Sequence, residues 1–429
     1  MSDCSTSIIL NLQQDYPAQI FHLDNGLTIV HQYLPTSPVV VADVWVKAGA
    51  AYEPQNCLGI AHFLEHMIFK GSARVPVGEF DRLIESQGGI SNASTNHDFA
   101  HFFVATALEQ FPQAFALLSD LLLHPALPAA ELAAELEVVT QEWSVYADDP
   151  DAVGWESLNS LVFTGHAYAN PVLGTPESLQ TLTLEHLRAF HANRYQPENL
   201  TVAIVGGIDQ ESALAVVNRY CQGFPAVQPL EISRGRVHLP SDRQHQHLQM
   251  PQVRGARLLM GWATPGCDQL ADDYGLDLLS VILAGSQTAI LVRQLREETQ
   301  LVYDVAAHFS LQQEAGLFSI NAILEPELLG RVEQLILNKI NQIQEHGITA
   351  AQLQRAKRLL INQHHLSLET PQQLAGLYGY YGTIACAEVA ATYVPTIEEV
   401  TEQDIQRLAC TYLDTSRYSI ITISSNPES

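Results

Sequence analysis

Residues 59–71 read GIAHFLEHMIFKG and place His62, Glu65 and His66 in the spacing H-x-x-E-H. Residues three and four apart share a helix face, so a helix over 58–69 would set the two imidazoles one turn from each other. Two imidazoles so placed can grip one Zn²⁺. Glu65, three residues after His62, falls on nearly the same face, where a carboxylate can reach a water on the ion. The same spacing also fits a helix with two surface or core histidines. Gly71 follows the last apolar residues as a helix stop.

A catalytic zinc site takes a third protein ligand and keeps the fourth position open. Glu142, in the run ELEVVTQEW, is the candidate. Glu135 lies seven residues earlier, nearly two turns, and so shares its face. One of the two can bind metal while the other acts from behind it, on water or on a histidine. A solvated acidic helix face is the alternative for both.

These residues need a scaffold, and the chain repeats itself once. Residues 182–205, LTLEHLRAFHANRYQPENLTVAIV, and 400–423, VTEQDIQRLACTYLDTSRYSIITI, both give a threonine cap, an amphipathic helix, an aromatic-containing turn and an apolar strand. Residues 129–142 and 350–363 form a second pair in the same order, with Leu132, Val138 and Val139 matching Leu353, Leu359 and Leu360. Two ordered pairs point to duplication. Glu142 then corresponds to Gln363 and Glu135 to Ala356, and the stretch matching 62–66 falls near LAGSQ, residues 283–287, without histidine. One metal site per chain, in the first half, follows.

The expected fold is α+β, with two homologous halves, each a mostly antiparallel or mixed sheet covered by helices. Strands are expected at 28–46, 100–105, 200–205, 257–262, 316–323 and 418–423. Helices are expected in pairs, at 108–123 with 129–146 and at 326–346 with 350–365. The domains are 1–225, the zinc-binding half; 226–247, a linker with proline and polar residues; and 248–429, the half without metal. The length of 429 residues agrees, since a single core stops growing near about 250–300 residues.

A net charge of −26 argues against nucleic acid and anionic membranes as partners, which need a basic face. It suits a basic peptide, or plain solubility. Cys4, Cys57, Cys221, Cys267, Cys386 and Cys410 lie far apart with no CxxC pair, which reads as reduced thiols in a reducing compartment. The first residues resemble neither a secretory signal nor a transit peptide, and no run approaches a membrane span. A cytoplasmic location is expected. His97 and His101, placed on one strand face, and His364 with His365 at a helix end, lack a carboxylate at useful spacing and read as structural or surface residues.

The chain resembles the inverzincin metallopeptidases, which include pitrilysin, insulin-degrading enzyme and mitochondrial processing peptidase. GIAHFLEHMIFKGS, the distance from His66 to Glu142, PVLGTPESLQTLT at 171–183 and the duplicated layout carry the resemblance over nearly the whole chain. At this length it is similar to one processing-peptidase subunit. The resemblance implies a zinc-dependent endopeptidase acting on peptides or extended segments, with one Zn²⁺ on His62, His66 and Glu142, and Glu65 as general base. It implies that SNASTNHDFAHF, 91–102, binds substrate: Asn92 by a backbone contact, and Ala93, Ser94 and Thr95 by strand addition. A turn asparagine is the other reading of Asn92.

In RQLREETQLVY, 293–303, the resemblance implies that Arg296 and Tyr303 face the zinc across a cavity enclosed between the halves and hold a carbonyl and its developing oxyanion. The sequence departs from the family pattern at LAGSQTAILV, where glycines are few, and at GHAYANP, which has alanine where proline is common. Relatives of this length often work in pairs, so a homodimer or a heterodimer with a related subunit is expected. The rival function is a non-catalytic peptide-binding or scaffold subunit of a larger complex.

Overall fold

The computed structural model describes residues 17–221, 224, 233–238 and 240–425. Its strands are β1 (Gln19–His22), β2 (Thr28–Tyr33), β3 (Val39–Val46), β4 (Ile90–Thr95), β5 (Ala100–Ala107), β6 (Leu200–Gly206), β7 (Gln244–Gln249), β8 (Ala256–Pro265), β9 (Val302–Ser310), β10 (Ala315–Leu324) and β11 (Ser419–Ser424). The helices that matter here are α1 (Ile60–Ile68), α2 (Phe111–Leu123), α3 (Ala129–Asp148), α4 (Pro150–Val162), α5 (Leu184–Arg194), α6 (Leu270–Ala284), α7 (Leu329–His346), α8 (Ala350–Leu366), α9 (Pro371–Ile384) and α10 (Glu402–Tyr412).

The expected strand at 28–46 is two strands. Leu34–Pro38 holds two prolines, which cannot donate to a ladder, and Ser37 N–H turns back to the Leu34 carbonyl at 2.9 Å. The threonines expected to cap α5 and α10 do so: Thr183 accepts from His186 N–H and Thr401 from Asp404 N–H.

Packing divides the chain into two units. The first holds the described residues of Met1–Trp143, Asn170–Arg234 and Ser367–Thr392. Its sheet runs β1-β2-β6-β3-β5-β4, with β2 and β6 parallel and the other neighbours antiparallel. Alternation along β3 sends Val40, Ala42, Val44 and Val46 into a core with Phe102 and Val104 of β5, Phe63, Leu64 and Met67 of α1, and Phe111, Phe115 and Leu118 of α2. Each such fully buried large side chain stabilises the fold by roughly 1.5–3 kcal/mol. The opposite face of β3 carries Asp43 and Trp45 and is covered by α9. Gly379 lies so close to Trp45 that a Cβ there would stand 2.1 Å from the indole nitrogen. Thr201 donates to the Gly382 carbonyl at 3.1 Å, and Tyr378 donates to Gln32 at 2.6 Å.

The second unit holds the described residues of Ser144–Ala169, Gly235–Leu366 and Tyr393–Ser429. Its sheet runs β7-β11-β8-β10-β9, with β7 and β11 parallel and the rest antiparallel. Without β1, the first sheet has the same order and the same single parallel pair, so β2, β6, β3, β5 and β4 repeat as β7, β11, β8, β10 and β9. The two homologous mixed sheets expected from the repeats are present. Here α4 covers β8 and β11, with Gly154 against Leu259 and Ile423 and Leu158 over Gly261.

Each unit therefore takes its sheet-covering helix from the other stretch of sequence. The packing units differ from 1–225 and 248–429 by this exchange. Of the expected linker, 226–247, residues 226–232 and 239 lie outside the described residues, and residues 244–247 belong to β7.

Candidate metal centre

Helix α1 starts at Gly59, whose φ of +86° favours glycine and whose Cβ would come within 2.8 Å of the Leu173 carbonyl. The first amides of α1 are bonded by Glu53: Gly59 N–H and Ala61 N–H donate to its two carboxylate oxygens at 2.8 and 2.9 Å. This satisfies donors that a helix start otherwise leaves open. Burial pushes the Glu53 carboxyl up to about 8, with the two amides pulling the other way. The apolar side of α1, Phe63, Leu64 and Met67, is held in the core, so the ends of His62, Glu65 and His66 are set by packing.

His62 and His66 stand with ring centroids 4.7 Å apart. Glu142 Oε2 lies 3.6 Å from His62 Nε2 and 3.4 Å from His66 Nε2. One donor atom from each of the three residues lies within 4.8 Å of the others. Bonds of about 2.0–2.2 Å to one tetrahedral zinc ion would set donors roughly 3.3–3.6 Å apart, so the residues fit that ion. Among the described residues this is the one such group of three or more.

Glu135 is not on the metal side of this group. Of the two alternatives open for it, water or histidine, the structure places it on the histidine: His66 Nδ1 is 2.8 Å from Glu135 Oε1. The other oxygen of Glu135 pairs with Lys70 Nζ. An Nδ1–H held this way makes Nε2, on the Glu142 side, the nitrogen that would bind a metal ion in place of the proton it shares with Glu142. His62 Nδ1 is buried with no hydrogen-bond partner.

Burial and the neighbouring His66 together lower His62 to about 4 against the opposite pull of Glu142, which keeps a neutral imidazole of the kind a metal needs. For His66, burial also lowers the pKa, but the hydrogen bonds to Glu142 and Glu135 outweigh it and the net shift is upward. The hydrogen bond to His66 holds the Glu142 carboxyl below its usual range.

Glu65 is mostly enclosed, and burial raises its carboxyl. Its Oε2 accepts from Thr95 Oγ1 at 2.5 Å. Thr95 ends β4, the edge strand of the first sheet. Along β4, Ser91, Ala93 and Thr95 are half-buried, while Ile90, Asn92 and Ser94 are exposed. Asn92 Oδ1 accepts from the amide of Ala93 at 3.0 Å.

Arg296 and Tyr303 belong to the second unit. Arg296 lies on a seven-residue π-helical segment, Val292–Glu298, and pairs with Glu297 at 3.0 Å and Asp304 at 3.4 Å. Tyr303 is 63% exposed on β9, the edge strand that repeats β4, and donates to Glu325.

Of the remaining histidines, His101 lies on β5, bonded to Asp43 at 3.0 Å and stacked on Trp45. His97 is not on that strand face. It sits in the turn before β5, near the Asn170 carbonyl at 3.0 Å.

Lys70, Glu53 and the hydroxyl of Thr95 were not foreseen as parts of this centre. The only signals were an acid upstream of a helix start, which complements its dipole, and a cation just past its end.

Residues 28–176 match the family model described as "Insulinase (Peptidase family M16)", and residues 181–360 match "Peptidase M16 inactive domain". A Mycobacterium leprae protein named "Uncharacterized zinc protease ML0855" is 27% identical over 90% of this chain and 87% of its own length. The Bacillus subtilis "Uncharacterized zinc protease YmxG" is 27% identical over 81% and 83%. A solved protease from Helicobacter pylori superposes with a TM-score of 0.88 at 23% identity, covering 95% of this chain and 99% of that one, and so shares the fold.

In this duplicated α+β scaffold the two-histidine, one-glutamate cluster lies on helices α1 and α3 of the first unit. The chain belongs to peptidase family M16. Among the described residues no helix is long and apolar enough to cross a membrane.

Proposed function

We propose that the chain is a zinc-dependent endopeptidase that cleaves peptides or extended segments. The observation that carries this reading is the convergence of His62, His66 and Glu142 within 4.8 Å, beside the enclosed carboxylate of Glu65. Zinc held there would supply a Lewis-acid charge and lower the pKa of water at the site. Glu65 takes the proton of the attacking water and delivers it to the leaving amine. Thr95 holds Glu65 in place for that transfer. Glu135 orients His66.

Substrate adds as a strand to β4, with Ala93, Ser94 and Thr95 offering backbone groups and Asn92 a further contact. A folded protein has few free backbone groups to present, so extended chains are preferred. Arg296 and Tyr303 hold the substrate carbonyl as its charge develops. The chain acts as a homodimer or with a related subunit. The wide spacing of the cysteines, with no CxxC pair, supports a reducing, cytoplasmic setting.

The rival reading is a non-catalytic peptide-binding subunit. The match of residues 181–360 to a model described as inactive favours it, but the metal residues and Glu65 lie outside that stretch. Metal analysis together with cleavage of a quenched peptide, with and without chelator, separates the two. Stoichiometric zinc and chelator-sensitive cleavage support the peptidase. Zinc-free protein that binds peptide without cutting it supports the rival.

A further inference from the structure

We infer that Lys70 is a positioning residue of the metal centre, acting through Glu135 on His66; the inference rests on the zinc reading above. Lys70 stands four residues after His66, where α1 has ended. Its amide turns back to the Met67 carbonyl at 3.2 Å, and the next residue, Gly71, takes a φ of +95°. This turn sends the ammonium to Glu135 rather than onward along the helix axis.

Glu135 is 5% exposed, and its two oxygens are divided between two donors, His66 Nδ1 on one and Lys70 Nζ on the other. A carboxylate that deep needs a counter-charge. His66, as a metal ligand, is neutral and supplies only a hydrogen bond. Lys70 supplies the full positive charge.

Lys70 also settles which oxygen His66 receives. With Oε2 engaged by the ammonium, Oε1 is left to His66, and the imidazole is held with Nε2 toward Glu142. Without Lys70, the carboxylate is free to rotate or to withdraw toward solvent, and His66 loses the contact that orients it. Glu142 also approaches His66, at 3.4 Å, so carboxylates flank this imidazole on both nitrogens, and Lys70 offsets one of them.

The test is zinc affinity of the full chain, read by competition with a chromophoric chelator, and the visible spectrum of the cobalt-substituted protein. Loss of an outer partner of a metal-binding histidine costs about 10–100-fold in affinity. Lys70→Met, which keeps the stem and removes the charge, is expected to weaken zinc binding by that order and to alter the cobalt spectrum. Lys70→Arg, which keeps the charge, should retain most of the affinity. In a Glu135→Ala background Lys70→Met should add no further loss, because the path through Glu135 is already gone.

Unchanged affinity in Lys70→Met overturns the inference. So does an equal loss with and without Glu135, which would mean that Lys70 acts elsewhere. Circular dichroism of the metal-free variants checks the fold, and Lys70→Gln replaces the methionine variant if that one fails to fold. Zinc binding that depends on Lys70, in a chain that cuts no peptide, would leave this inference standing and remove the peptidase reading. A wild-type chain with no zinc affinity would remove both.

Discussion

Thr95 donates its hydroxyl to Glu65 across 2.5 Å, joining the last residue of the edge strand β4 to the carboxylate proposed as general base. The strand proposed to receive substrate and the group proposed to move the proton are therefore one hydrogen bond apart. A hydrogen bond to a charged group contributes roughly 1.5–3 kcal/mol. Thr95→Val, which keeps the shape and removes the hydroxyl, should lower kcat/KM by about 10-fold or more, in line with that range. Zinc content should not change. Thr95→Ser should restore most of the rate, and a valine variant as fast as wild type would separate Thr95 from the base.

Glu65→Gln keeps the volume of the side chain and removes its ability to take a proton. Loss of a general base costs about 10²–10⁴-fold in rate. Zinc bound per chain, read by elemental analysis, should stay near that of wild type while peptide cleavage falls by this order. Full activity with zinc in place would mean that another group takes the proton.

Glu142 differs from Glu65 in what its removal should do. Its carboxylate approaches both imidazoles, at 3.4 and 3.6 Å, and completes the donor set. Glu142→Ala should release zinc and cleavage together, and His62→Ala should do the same. If Glu142→Ala keeps wild-type zinc affinity, the third ligand is another residue.

Glu53 gives a pH signature of stability rather than of rate. Burial raises its carboxyl from 4.5 to about 8 in the folded chain. Between those values the folded state holds a proton that the unfolded state has lost, so stability falls as pH rises through the window. The full effect is on the order of 5 kcal/mol. Urea midpoints of wild type and Glu53→Gln across pH 5–9 should diverge with the sign that wild type loses more on the alkaline side. Parallel curves would mean that Glu53 ionises as freely in the fold as outside it.

Gly379→Ala should be among the most damaging single-methyl additions in the first unit. The new Cβ would stand 2.1 Å from the Trp45 indole nitrogen, and overpacking of this kind costs typically about 1–3 kcal/mol. A lowered thermal midpoint without loss of zinc affinity is the expected result, and an unchanged midpoint would show that α9 can shift away from β3.

The parts of this molecule that were legible in the sequence are those with local grammar. His62, Glu65 and His66 lie within five residues on one helix, so spacing alone set their shared face. The sheets could be anticipated because the α5–β6 and α10–β11 segments repeat both pattern and order. Glu135 was open between two roles because helix periodicity gives its face and not its partner. Glu53 and Lys70 were missed because their contacts come from tertiary packing: Glu53 bonds α1 from a preceding loop, and Lys70 reaches 65 residues along the chain to Glu135. His97 was misplaced by extending the strand pattern back through Asn96, whose side chain accepts the His97 amide and begins the turn. The exchange of α4 and α9 left no mark in the repeats, since similarity records descent and not which sheet a helix covers.

That exchange has a consequence for how the first unit is made. Its sheet is complete in order once β6 has been synthesised at Gly206, yet among the described residues the helix that covers the face bearing Trp45 is α9, which ends at Ile384. A nascent chain therefore carries the Trp45 face without this helix through nearly 180 further residues of translation. A recombinant fragment stopped after the first repeat would keep every proposed zinc ligand and still aggregate, and supplying residues 367–392 as a separate peptide should rescue its solubility.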